Sequence, residues 1–187
     1  MSARKPRPKT AQPIMANFSY LHLAADGAPS SRESSAYHEA GHAAVAVLLG
    51  VSVDSIRLCP GEDPSGRFRF GVVTREQHDL IPVICAAGLL AETVFDPNTP
   101  QTPRRQDELA AARACRGRLD LLFPAARADH MKAAKLEALR LVGEYWPIIA
   151  ALARELLAKQ KFTGAEVEDF VRQRISGHPA AKRRATP

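Results

Sequence analysis

AYHEAGHAAVAVLLG, residues 36–50, decides how this chain folds. His38, Glu39 and His42 make an HExxH pattern, followed by a run of small and aliphatic residues. Ser30 with Glu33 fits a capping box, the reciprocal hydrogen-bond pair that opens a helix. The predicted helix runs from Ser31 to Leu49, with Gly50 as its stop signal. Past His42 it is apolar almost all round, as expected of a helix buried on every side. Side chains four apart share a helix face, so both imidazoles can reach one ion. Two histidines and a glutamate on a buried helix are costly unless something satisfies them.

Outward from this helix, VDSIRLCP (53–60) reads as a short strand. Pro60 to Arg67 is rich in turn formers, and Arg69 to Thr74 reads as the returning strand of a small hairpin or sheet edge. Leu80 to Phe95 reads as a second buried helix, and residues 96–103 as a loop. Thr102 and Pro103 open a third helix running to about Leu122. Further helices are expected over Ala126–Tyr145 and Pro147–Lys159, with Tyr145 and Trp146 packed among them. A last helix is expected to end near Ile175, opened by a capping box of Thr163 and Glu166. The fold class expected is mainly α: one helical domain over residues 30–175 with a small β-hairpin or sheet edge. Residues 1–29 read as a disordered basic segment and 176–187 as a basic tail.

The chain has 187 residues and a net charge of +6, but that charge sits at the ends. Arg4, Lys5, Arg7, Lys9, Lys182, Arg183 and Arg184 leave a net −1 for everything between. Nucleic-acid binding through the fold itself is therefore not expected, and the tails read as solvated. Cys59, Cys85 and Cys115 are odd in number and widely spaced, which argues against a disulfide framework or a cysteine zinc site. With no visible secretory signal, a reducing, cytoplasmic setting is expected. The longest apolar run, Leu80 to Ala91, falls short of the ~20 residues that span a bilayer, so no membrane span is expected.

The HExxH pattern carries definite chemistry. Zinc favours nitrogen ligands and keeps one position open when it is catalytic. It lowers the pKa of bound water to about 7, and Glu39, beside the first histidine, is the candidate general base. A third ligand is needed. The extended HExxHxxGxxH pattern is absent, because Val45 and Leu48 stand where its glycine and histidine would be. The ligand must then come from farther along the chain, and the candidates are Glu62, Glu76, Glu92, Asp107 and Glu108. Of these, Glu62 and Glu76 lie in charged, turn-like surroundings. His22, His78, His130 and His178 have no partner at metal-ligand spacing and read as ordinary polar residues.

Residues 36–50 resemble the zinc-binding segment of the FtsH-type, membrane-anchored ATP-dependent zinc proteases. VDSIRLCPG (53–61), ICAAGLLAETVF (84–95), RQDELAAA (105–112) and WPIIAALARELLAKQKFTGAEVEDFV (146–171) are similar to successive parts of that peptidase domain. The likeness spans about residues 33–175. It implies a zinc cofactor held by His38, His42 and Asp107, with Glu92 behind them orienting a ligand histidine. It also implies, together with the pattern, that the 69–74 strand is an edge on which an extended substrate pairs. The chain departs from the family by having TPRRQ before Asp107. No GxxxxGK[ST] phosphate loop occurs, so a free-standing peptidase domain without its own motor is expected. Its expected partners are flexible or unfolded polypeptide substrates, with a separate ATPase or a homo-oligomer as candidate assemblies. The competing expectation is a non-catalytic FtsH-like adaptor that binds other proteins without turnover.

Overall fold

The computed structural model describes residues 31–59, 66–98 and 124–177, with side chains from residue 129 in the last segment. The expected helix over 102–122, the tails, and Glu62, Asp107, Glu108, His22, His178 and Cys115 lie outside the described residues.

The fold is mainly helical with one small antiparallel sheet. Helix α1 (Ser31–Leu48) runs through the middle, and every residue from Ser34 to Ala46 is buried. Small side chains let it be surrounded closely. A Cβ on Gly41 would come within 2.6 Å of the Ala91 Cβ and 2.7 Å of the Ala87 carbonyl oxygen, so glycine there sets how near the next helix lies. α1 ends in a Schellman turn: Gly50 adopts φ 73°, its N–H bonds to Val47 O at 3.1 Å, and the Val51 N–H reaches Ala46 O at 2.9 Å.

β1 (Val53–Leu58) follows and becomes the centre of a three-stranded sheet of order β2-β1-β3. β2 (Gly66–Phe70) pairs with it antiparallel, Ile56 opposite Phe68 and Arg57 opposite Arg67. β3 (Lys161–Thr163) closes the other side, with Phe162 opposite Ile56. The returning strand thus lies at 66–70, not 69–74. The Gly71 N–H bonds to Ser52 O at 2.8 Å, and regular structure ends there. β3 was not foreseen: three residues between a helix and a capping box give too short a pattern to read.

A 3-10 turn (Arg75–Leu80) leads into α2 (Ile81–Phe95), which packs along α1. The 3-10 turn and α2 together make a 21-residue helical stretch that is long and apolar enough to cross a membrane by length and composition. In this fold 44% of its 18-residue window is buried against other elements. Among the described residues α3 (Pro124–Glu144), α4 (Trp146–Lys159) and α5 (Gly164–Ser176) make up the rest of the bundle. Tyr37 of α1 stacks on Phe95 with ring centroids 3.8 Å apart and lies 5.5 Å from Trp146, tying α1, α2 and α4 at one end. The Thr163–Glu166 capping box forms as expected. Hydrogen bonds from the Thr163 backbone N–H and hydroxyl hold the Glu166 carboxyl below the ordinary glutamate range.

Candidate metal centre

α1 carries His38, Glu39 and His42 into the interior, where they are 1%, 4% and 3% exposed. The four-residue spacing turns both rings toward α2, and α2 holds each ring from behind. His42 Nδ1 lies 2.7 Å from the Ile84 carbonyl oxygen. A carbonyl only accepts, so this nitrogen carries the hydrogen. His38 Nδ1 lies 2.7 Å from Glu92 Oε2, and that side chain is itself buried. An ionised carboxylate also only accepts, so His38 takes the same tautomer.

With both Nδ1 atoms donating, each Nε2 of the neutral rings presents a lone pair. The two Nε2 atoms face each other 3.0 Å apart, with the rings nearly perpendicular at 84°. That spacing suits a hydrogen shared between the two nitrogens when one ring is protonated, and equally a cation held by both. Two nitrogens on a tetrahedral zinc are about 3.3 Å apart, given Zn–N distances of about 2.05 Å. The donor chemistry and spacing therefore fit a zinc ion.

α2 also makes room for the two imidazole rings. Gly88 lies one turn beyond Ile84, and a Cβ there would overlap the Cε1 and Nε2 atoms of His42. From the sheet side, the start of β2 passes over Glu39: a Cβ on Gly66 would overlap its side chain. Phe68, two residues on, lies 5.5 Å from the His42 ring at 32°. The site is thus enclosed by α1, α2 and β2, and β2 is an edge strand of the sheet.

Of the expected site residues, the structure brings His38, Glu39, His42 and Glu92 together. Glu92 sits at the Nδ1 side of His38, away from the Nε2 pair, which is where a ring-orienting carboxylate belongs. Among the described residues no group of three His, Cys, Asp or Glu could hold a metal. Of the other third-ligand candidates, Glu76 is exposed on the 3-10 turn, while Glu62, Asp107 and Glu108 lie outside the described residues.

Sequence reasoning missed the Ile84 carbonyl, Gly88, Gly66 and Phe68. Only Gly88 carried a usable signal: a glycine inside an apolar helix costs about 1 kcal/mol against alanine, which points to a close approach. Glu92→Gln is expected to weaken zinc binding about 10–100-fold while leaving the helical circular dichroism unchanged, because glutamine can still accept the His38 hydrogen bond but without charge. Competition against a chromophoric chelator measures this, and an unchanged affinity would show that Glu92 does not support the ligand. No protein-family model matches the sequence, and no curated protein matches it.

Proposed function

We propose that this chain is a zinc metalloendopeptidase acting on flexible or unfolded polypeptide segments. The observation that carries the reading is the facing pair of imidazole Nε2 atoms, each fixed in its metal-binding tautomer by a buried acceptor on α2. His38 and His42 would hold the zinc, with Asp107 proposed as the third ligand. The zinc supplies Lewis acidity, making a water molecule acidic enough to be deprotonated near neutral pH.

The remaining steps belong to the chain's own residues. Glu39, adjacent to His38 and shielded from bulk solvent, takes the proton as water attacks the peptide carbonyl and returns it to the leaving amine. Glu92 and the Ile84 carbonyl keep the two rings from turning. The outer edge of β2 runs beside Glu39 and His42, and an extended chain can pair there through backbone hydrogen bonds. Only a segment whose own backbone groups are not already paired can join in this way, which favours unfolded substrates. A separate ATPase or a ring of identical chains would be a source of such segments.

The test is metal analysis together with cleavage of an unfolded protein such as casein. About one zinc per chain is expected, with cleavage that stops on chelation and returns when zinc is added back. Cleavage that persists without metal, or a pure chain that takes up no divalent ion, would sink the reading.

A further inference from the structure

The outward face of the small sheet is cationic. Along β2 burial alternates: Gly66, Phe68 and Phe70 are partly buried, while Arg67 and Arg69 are exposed. Pairing carries this alternation across the sheet. Arg57 stands directly between Arg67 and Lys161, and Arg69 stands opposite Ser55, whose hydroxyl donates to Asp54, the exposed acid of β1, at 3.0 Å. Among the described residues none of these four cations forms an ion pair. The acid whose charge reaches Lys161 is Glu166, and it is committed to capping Thr163. Like charges directly opposite on neighbouring strands destabilise a sheet. This face is therefore built at a cost that an anionic neighbour would relieve.

We infer that Arg67 and Arg69 select substrates: the extended segment that pairs with β2 carries acidic side chains at alternate positions and apolar ones between them. The inference rests on the peptidase reading for what then happens to the segment, but not for its binding. Among the described residues β2 has no neighbour on its outer side, and a strand added there places residues two apart, about 6.8 Å, opposite Arg67 and Arg69 and on the same outward face. Carboxylates at those positions meet guanidinium groups. The residues between them point to the other face, beside Phe68 and the His38–Glu39–His42 cluster, where apolar side chains fit. A single-stranded nucleic acid suits the face less well. Its outward positions, Arg57, Arg67, Arg69, Lys161, Ser55 and Thr163, offer no ring for a base to stack on, and Phe68 and Phe70 turn inward.

The test uses the full chain carrying Glu39→Gln, so that bound peptide is not consumed, and fluorescence anisotropy with labelled decapeptides of alternating Glu-Val and Lys-Val. The Glu-Val peptide is expected to bind about tenfold more tightly, from two favourable cross-strand pairs replacing two repulsive ones. R67E/R69E is expected to reverse the preference. R67Q/R69Q, which removes the charges without reversing them, is expected to abolish it and serves if the reversal disturbs folding. Equal binding of the two peptides, binding of neither, or a preference that survives both variants overturns the inference; the last would place the acidic peptide on the basic chain ends. An oligothymidylate that binds more tightly than the Glu-Val peptide, and loses affinity in R67Q/R69Q, assigns the face to nucleic acid and also overturns it. Casein cleavage by the unsubstituted chain separates the two readings. Cleavage without charge preference removes only the inference, and charge preference without cleavage removes only the peptidase.

Discussion

Glu39→Gln is expected to cut peptide-bond hydrolysis by about 10²–10⁴-fold while zinc stays bound, the usual contribution of a positioned general base. The substitution is nearly isosteric. It keeps the close fit under Gly66 and leaves both histidines with their Nδ1 partners, so the proposed zinc ligands are untouched. What it removes is a carboxylate able to take a proton, because an amide is not basic at neutral pH. Zinc content by atomic absorption and the rate of casein cleavage, measured on the same preparation, read the two properties separately. If zinc is lost along with activity, Glu39 is holding the site together. If activity survives with zinc bound, the proton goes elsewhere and Glu39 is not the base.

Gly88→Val should do the reverse, damaging zinc binding through packing. Any Cβ at position 88 overlaps the His42 ring at the nitrogen that faces His38, and a branched one fills the space entirely. The ring must turn or α2 must move away. Either shift breaks the 2.7 Å bond from His42 Nδ1 to the Ile84 carbonyl and spoils the 3.0 Å approach of the two Nε2 atoms. We expect zinc affinity to fall at least about 100-fold, as when a ligand's support is lost, and stability to fall by about 1–3 kcal/mol from overpacking. Gly143→Ala is the control, since nothing lies within 4 Å of a Cβ there. It should gain about 1 kcal/mol of helix propensity and leave zinc binding alone. Thermal melts and chelator competition on the two variants check this. Unchanged zinc affinity in Gly88→Val would mean that α2 does not define the seat of His42.

These two substitutions also mark how much was legible in the sequence. Glu39 was readable because HExxH is a local code: the helical repeat alone sets two imidazoles on one face with a carboxylate beside the first. Gly88 had at most a hint, since its reason for being glycine is a ring 46 positions away in the chain. Glu92 was one of five carboxylates read as candidate ligands, its ring-orienting role came from a likeness to other sequences, and its partner, the Nδ1 of His38, became visible only with α2 laid against α1. The cationic face shows the same division. Arg57, Arg67, Arg69 and Lys161 are scattered in sequence, and strand register makes them neighbours. The returning strand was displaced by three residues for a related reason. RFGVVT has strong β-formers, but pairing with β1 begins at Gly66, the residue small enough to pass over Glu39.

The sequence by itself determined the described helices, the Thr163–Glu166 cap and the facing of the histidine pair on one helix side, because each rests on interactions within a few residues: a 3.6-residue period, a side chain capping its own helix, a glycine at a left-handed turn. The tertiary structure decided which nitrogen of each ring faces inward, which strand lies over the glutamate, and which charges share a face. Those depend on groups 42 and 54 residues apart coming within 2.7 Å, and no local rule brings them together. Packing does, through the small residues that let α1 and α2 approach.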